Sequence, residues 1–284
     1  MPYVAWNGYR LFYREAGEPG RPLLVLLPGN TASSASYSAE LEHFGRRFRV
    51  AALDFLGTGG SDRLPTWPAD WWEDGAAQAA ALAAHLGAAR YAVMGTRGSG
   101  CVALLTALWD PERVAGVVAD GCVERLTAED LERVVHERDP ATHGMARQRE
   151  RADAELLDIV LGRGVLSLGQ RLANRRLRGF WQAAHGPDWE AVVAADSAFH
   201  LRLAAAGGWD PFAGQLAQIG CPVLLTGSPA DPLLPFLDAR QAALAEQLPD
   251  CRCWHANAAD HPAMCMYAPG FRRVADDFLA AVRF

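Results

Sequence analysis

The segment "YAVMGTRGSGCVALLTALWDPERV", from Tyr91 to Val114, decides the fold. It begins as a short apolar run, passes through a glycine-rich turn and continues as an apolar stretch long enough for a helix. A buried strand that runs directly into a helix is the repeating unit of a parallel α/β sheet. At the apex of the turn stands Arg97, a bulky cation, and this residue sets the functional question.

Apolar runs of similar length recur along the chain and alternate with helical patterns. The strand-like runs are "LLVLLPG", "FRVAALDF", "RYAVMG", "VAGVVADG", "CPVLLTG" and the weaker "CRCWHANA". The helical patterns include "AAQAAALAAHLG" and the final "PGFRRVADDFLAAVRF", and the first residues alternate as a strand hairpin does. This alternation predicts an α/β fold with a mostly parallel central sheet flanked by helices.

The pattern becomes wholly helical between Val123 and Gln218. The segment "LTAEDLERVVHERD" begins with Thr127 and Asp130 at the spacing of a capping box, which marks a helix start. We therefore predict a core made of residues 1–122 and 219–284, with residues 123–218 inserted as a helical lid over the carboxyl edge of the sheet.

Composition excludes several classes of function. The 284 residues carry a formal net charge of −6, which disfavours a nucleic-acid or anionic-membrane partner. The basic residues are all arginine, which removes lysine chemistry. The six cysteines lack CxxC spacing and are expected to be free, buried thiols, and no metal-ligand cluster is apparent. We expect no membrane span, signal peptide, metal or cofactor, and a cytoplasmic protein with a small-molecule substrate; the oligomeric state stays open.

Five segments, in this order, resemble the α/β-hydrolase superfamily over nearly the whole chain: "LLPGNTASS", "ALDFLGTGGSDR", "MGTRGSG", "GSPADPLLP" and "NAADHPAMCMYAPGFRRVADDFL". The third resembles the family's nucleophile elbow. The resemblance implies that Asp231 is the catalytic acid and His261 the base. It also implies an oxyanion hole formed by the N–H of Gly98 and that of Asn30 or Thr31, although Pro28 replaces the histidine usual in that loop.

The elbow can be aligned in two ways. With Arg97 at the apex, its neighbours are the small residues Gly95 and Ser99, as a sharp turn requires. With Ser99 at the apex, Arg97 itself would crowd the turn. In addition, the family's helix commonly ends in a proline about fourteen residues past the nucleophile, and Pro111 matches Arg97. We therefore place Arg97 where the family has serine.

A guanidinium is protonated near neutral pH and cannot attack a carbonyl, so this alignment excludes an acyl-enzyme at residue 97. A cation at a buried, strained apex needs a partner, which could be Asp231, Glu124, solvent beneath the lid or an anionic ligand. We predict that Arg97 is an electrostatic anchor and that His261 and Asp231 form an acid–base dyad acting on a small anionic or aromatic molecule. Such an enzyme would be a lyase, isomerase, cyclase or water-using hydrolase.

Two other interpretations remain open. The chain could be a pseudo-hydrolase that serves as a binding module, with Arg97 as a salt-bridged plug, or a serine esterase that uses Ser99. Aromatic residues of the middle segment could line the substrate pocket, although core packing is the commoner use of such side chains. The candidates for substrate contact are Trp181, Phe180, His185 and Trp209.

Overall fold

A computed structural model of the protein describes residues 2–29, 31–138, 168–256 and 262–284. Eight strands form a single sheet in the order β1-β2-β4-β3-β5-β6-β7-β8. The strands β1 and β2 pair antiparallel with their neighbours, and all other pairs are parallel. The strand bounds are β1 Tyr3–Trp6, β2 Tyr9–Ala16, β3 Leu23–Leu27, β4 Arg49–Leu53, β5 Tyr91–Thr96, β6 Val114–Asp120, β7 Val223–Gly227 and β8 Cys251–His255.

Helices of the described residues flank this sheet, which confirms the predicted architecture. Their bounds are α1 Ser38–Phe44, α2 Trp71–His85, α3 Gly98–Trp109, α4 Ala128–Arg138, α5 Leu168–His185, α6 Trp189–Ala205, α7 Leu237–Ala245, α8 Ala263–Met266 and α9 Ala268–Ala281. Short 3-10 turns lie at Ser34–Tyr37 and Leu216–Gln218.

The central strands are apolar along their whole length because both faces of the sheet are covered. Every residue of β3, β5, β6 and β7 is buried. Alternate residues of β3 point to opposite sides: Val25 packs with α2 and α3, whereas Leu24 and Leu26 pack with α1 and α9. This two-sided burial holds the carboxyl ends of the parallel strands at one common edge.

The turn between β5 and α3 depends on glycine at two positions. A Cβ at Gly95 would lie 1.9 Å from the carbonyl oxygen of Ser99. A Cβ at Gly100 would lie 3.0 Å from the carbonyl oxygen of Asp120. The helix can therefore start directly over the end of its strand only because these side chains are missing.

The described parts of the segment that connects β6 to β7 are mainly helical. Its first helix has the predicted capping box, since the N–H of Thr127 donates to Asp130 Oδ2 at 3.0 Å and the N–H of Asp130 donates to Thr127 Oγ1 at 3.1 Å. Among the described residues of this segment, Leu126 and Trp209 form an isolated antiparallel β-bridge, which belongs to none of the strands of the sheet. The boundaries of the lid, and its role as a lid, stay predictions.

Candidate functional site

Arg97 occupies the turn between β5 and α3 in a strained backbone conformation. Its φ is 60° and its ψ is −135°, values that an L-residue with a side chain rarely adopts. The N–H of Arg97 donates to the carbonyl oxygen of Asp120 at 2.8 Å, and its own carbonyl oxygen accepts from the N–H of Gly100 at 2.8 Å. These two bonds hold the strained residue between the end of β6 and the first turn of α3.

The Arg97 side chain packs against Gly29 in the loop that follows β3. A Cβ at Gly29 would lie 3.1 Å from Arg97 Cδ, so glycine leaves room for the arginine there. Arg97 Nε is buried and has no hydrogen-bond partner among the described residues. Within those residues, Arg97 also forms no ion pair with Asp231 or Glu124, the two protein groups among the partners that the sequence suggested.

Ser99 lies inside the first turn of α3 and is only 1% exposed. Its hydroxyl donates to the carbonyl oxygen of Pro28 at 2.6 Å. The hydroxyl therefore fastens the helix to the loop after β3, and a nucleophile with its proton committed to a buried carbonyl is poorly placed to attack a substrate.

The predicted oxyanion loop is itself strained. Thr31 is buried and has a φ of 57°, a costly value for a β-branched residue, whereas Asn30 lies outside the described residues. Gly98 is the first residue of α3, and amide N–H groups of a first helical turn have no acceptor within the helix. The structure thus brings Thr31, Gly98 and Arg97 to the same edge of the sheet.

His185, at the end of α5, fastens this loop to the helical segment. Its Nε2 lies 3.1 Å from the carbonyl oxygen of Thr31, and its Nδ1 accepts from the N–H of Gly59 at 3.0 Å. Because one partner is an acceptor and the other a donor, the ring is the neutral tautomer with its proton on Nε2. Burial lowers the pKa of His185 to about 4, and the Arg63 charge acts in the same direction. Both ring nitrogens of His185 thus contact backbone groups of the loops after β3 and β4.

Asp231, which follows β7, is 5% exposed. Its Oδ1 accepts from the N–H groups of Leu233 at 2.8 Å and Leu234 at 2.9 Å, which fixes the orientation of the carboxylate. His261 lies outside the described residues, so its pairing with Asp231 stays a prediction.

Sequence reasoning missed Asp120, the last residue of β6. The carboxylate is fully buried and accepts from Thr96 Oγ1 at 3.1 Å, Thr226 Oγ1 at 2.7 Å and the N–H of Met264 at 2.9 Å. A signal was present, because "VAGVVADG" places an acid at the carboxyl end of a parallel strand. Asp120 is thus a second buried carboxylate besides Asp231. It contacts both the turn of Arg97 and Met264, which follows His261 by three residues.

Sequence reasoning also missed Tyr37, which lies behind the loop after β3. Its hydroxyl accepts from the N–H of Gly29 at 3.1 Å. Burial and the nearby Cys265 raise the pKa of the Tyr37 hydroxyl, while the Arg97 charge acts to lower it. The arginine is thus close enough for its charge to act on this buried hydroxyl.

The four candidate substrate contacts do not form one cluster. Trp209 packs on Trp72 with centroids 4.2 Å apart and donates from Nε1 to Glu73. Trp181 is buried and stacks on Trp189, whereas Phe180 is 41% exposed. Within the described part of the chain, no ring contact joins Trp181 or Phe180 to Trp209, and a substrate role for these residues and His185 stays a prediction.

Two surface cavities are also present. One of about 540 Å³ lies between the starts of α4 and α7, where Asp130 pairs with Arg240. Another of about 320 Å³ lies beside Arg63 and Trp67. The described residues contain no group of His, Cys, Asp and Glu side chains that could hold a metal ion. They also contain no helix long and apolar enough to cross a membrane.

Residues 22–264 match the family described as alpha/beta hydrolase fold. The human protein serine hydrolase BPHL is 26% identical over 280 residues, which cover 97% of this chain and 85% of the human protein. The chain therefore belongs to the α/β-hydrolase fold family, and the proteins that it resembles include hydrolases.

Solved structures share this fold at low sequence identity. The 2-hydroxy-6-oxo-6-phenylhexa-2,4-dienoate hydrolase of Rhodococcus sp. strain RHA1 has a TM-score of 0.73 at 18% identity, covering 99% of this chain and 98% of that chain. An esterase from Thermogutta terrifontis has a TM-score of 0.69 at 20% identity, covering 99% and 97% of the two chains.

Proposed function

We propose that the protein is an atypical enzyme of this family that acts on a small anionic organic molecule. Arg97 takes the place of the serine nucleophile and binds the negative charge of the substrate. His261, oriented by Asp231, serves as general acid or base. The observation that carries this proposal is the buried Arg97 Nε, which has no hydrogen-bond partner among the described residues.

The energetic cost of Arg97 supports a role for it. A non-glycine residue at a φ of 60° costs on the order of 1–3 kcal/mol, and an unsatisfied buried donor costs a similar amount. An arginine that only plugged a former active site would be expected to have an ion pair there, and the described residues offer Arg97 none. Arg97 as a whole is only partly buried, so an anion at the terminal nitrogens of its guanidinium would give this charge a partner.

The surrounding donors suit an anion. A guanidinium forms two parallel hydrogen bonds with a carboxylate, and it also matches phosphate and enolate oxygens. Gly98 at the start of α3 adds an N–H group and the positive end of a helix dipole. With charge held in this way, the dyad acts on the substrate itself or on a water, so proton abstraction, isomerisation, retro-aldol cleavage and hydrolysis without an acyl-enzyme all suit the site.

Anion binding tests the first half of the proposal. Acetate, phosphate and a series of carboxylic acids should raise the Tm of the wild type in proportion to their affinity. The variant Arg97→Met should lose this stabilisation, whereas Arg90→Met, which removes an exposed arginine elsewhere, should keep it. Equal Tm shifts in the wild type and Arg97→Met would show that Arg97 binds no anion.

Turnover tests the second half. The acids that bind are incubated with the protein and followed by mass spectrometry. We expect the wild type to convert at least one of them and His261→Ala to convert none. Binding without conversion would establish the binding module instead. Covalent labelling of Ser99 by a fluorophosphonate probe would establish the serine esterase instead. We expect no such labelling, because the Ser99 hydroxyl is buried and donates to the carbonyl oxygen of Pro28.

A further inference from the structure

Two cysteines lie against each other directly beneath the turn that carries Arg97. Cys101 belongs to the first turn of α3, and Cys122 follows the end of β6 by two residues. Their sulfur atoms are 3.3 Å apart, and the residues are 2% and 0% exposed. All six cysteines are free, but the expectation that they are all buried is wrong: Cys253 and Cys265 are exposed, and Cys251 is only partly buried.

We propose that Cys101 and Cys122 are an oxidisable dithiol that hydrogen peroxide converts to a disulfide. The bond would tie the first turn of α3 to the chain that follows β6. It would thereby brace the turn in which the N–H of Arg97 donates to Asp120.

The segments that carry the two cysteines approach each other closely. A Cβ at Gly100 would lie 3.0 Å from Cys122 Cβ, so α3 approaches this segment as closely as glycine allows. A disulfide requires sulfur atoms about 2.05 Å apart and Cβ atoms about 3.8 Å apart. The sulfur atoms of Cys101 and Cys122 are 3.3 Å apart, so forming the bond brings them closer by about 1.2 Å.

The hydrogen bond between the thiols assigns each a chemical role. The S–H of Cys122 donates to Cys101 Sγ, and this bond lowers the pKa of the Cys101 thiol. Burial raises the pKa of the Cys122 thiol, and its hydrogen bond to Cys101 adds to that effect. Because the thiolate is the nucleophile, Cys101 is the attacking residue and Cys122 the resolving one.

The reaction balances with peroxide as the only oxidant. The Cys101 thiolate attacks one peroxide oxygen, the O–O bond breaks, and the departing hydroxide takes up a proton to become water. The sulfur of Cys122 then attacks the resulting sulfenic acid, the S–O bond breaks, and the second oxygen leaves as water with the Cys122 proton. The thiols lose two electrons and two protons, and peroxide is reduced to two waters.

Because both thiols are buried, the size of an oxidant determines whether it can reach them. A peroxide molecule is little larger than water and can enter during small openings of the structure, whereas oxidised glutathione is too large to reach sulfur atoms at this depth. Oxidation should therefore be slow with peroxide and slower still with glutathione disulfide.

Counting thiols in the folded protein after peroxide treatment tests the proposal. After denaturation and alkylation with N-ethylmaleimide, we expect Cys101 and Cys122 both to be unlabelled, whatever peroxide does to the exposed Cys253 and Cys265. Peptide mapping should link Cys101 to Cys122. The Tm should rise by several degrees and return after dithiothreitol, because the cross-link restricts the unfolded chain.

Three variants complete the experiment. Cys101→Ala and Cys122→Ala should each leave the other cysteine of the pair labelled, whereas Cys221→Ala, which removes another buried cysteine, should leave the disulfide intact. Labelled Cys101 and Cys122 in the treated wild type would overturn the proposal. So would loss of labels through sulfinic acid instead of a disulfide, or a disulfide mapped to any other pair.

Discussion

At the scale of single residues, the backbone around the candidate site is strained. Arg97 and Thr31 both have positive φ, at 60° and 57°, and they follow β5 and β3 at the carboxyl edge of the sheet. Strain of this kind persists only where the surrounding structure imposes it, and it is concentrated at functional sites in proteins. The fully buried Asp120, bound by two threonine hydroxyls and an amide, is part of the structure that imposes it.

Replacing Arg97 by glycine should make the protein more stable and less active. Arg97→Gly removes the strain at positive φ and the unsatisfied buried Nε, while glycine adds entropy to the unfolded chain. We expect the free energy of unfolding to rise by about 1–2 kcal/mol. Urea unfolding measures this change, with Arg90→Gly as the exposed control that should bring no gain.

A loss of stability in Arg97→Gly would contradict this prediction. It would mean that the arginine makes a net stabilising contact, which is the property expected of a plug rather than of a ligand anchor.

At the scale of elements, a few long-range contacts join the helical segment to the loops of the sheet. His185 of α5 contacts both the loop after β3 and the loop after β4. Next to it, Arg63 pairs with Asp188 at 2.7 Å and donates to the carbonyl oxygen of His185 at 2.8 Å. The neutral His185 ring thus joins the end of α5 to the predicted oxyanion loop, and the ion pair of Arg63 joins it to the loop after β4.

His185 should make stability depend on pH on the acidic side. Its pKa is lowered to about 4 from the ordinary histidine value of 6.5, so the unfolded chain binds the extra proton first as pH falls. The contribution of the neutral ring is therefore complete above pH 6.5 and is lost progressively toward pH 4. We expect this one group to account for roughly 3 kcal/mol of the loss between those limits.

The variant His185→Gln should weaken that dependence because glutamine does not titrate. Urea unfolding at pH 7 and at pH 4.5 compares it with the wild type and with His85→Gln, the replacement of an exposed histidine. If the wild type and His185→Gln lose the same free energy of unfolding, the ring is not held neutral in the folded protein.

At the scale of the whole molecule, the helical segment and the sheet share one hydrophobic cluster. Phe199 of α6 is fully buried and contacts Trp67, Trp71 and Trp72, with ring centroids 6.1, 5.8 and 4.9 Å away. Through these rings, α6 packs on α2 and on the core beneath it. These four aromatic side chains are core residues.

This shared core predicts that the segment and the sheet unfold together. Phe199→Ala should lower the free energy of unfolding by about 3–5 kcal/mol, because it leaves a cavity among tryptophans. Tryptophan fluorescence and far-UV circular dichroism should still report a single transition. The control Phe180→Ala, at a side chain that is 41% exposed, should change stability little. Two separate transitions in the wild type would show that the segment folds on its own.

The sequence by itself determined the features that depend on neighbouring residues. The parallel sheet follows from apolar runs that alternate with helical patterns, and the strand bounds agree with those runs. The capping box of Thr127 and Asp130 was predicted because both partners lie within one helical turn. Arg97 could be placed at the turn because glycines at fixed spacing mark a sharp bend. These are local signals, in which chain spacing translates directly into geometry.

Only the tertiary structure decided which distant groups meet. His185 binds Thr31 across 154 positions of the chain, and Asp120 binds Thr226 across 106. The pairing of Cys101 with Cys122 likewise depends on how α3 lies over the end of β6. No spacing rule links such residues, because their approach is set by the register of the parallel strands and by the packing of helices across them. For the same reason, the sequence could name Arg97 but could not show that its Nε would be buried without a partner among the described residues.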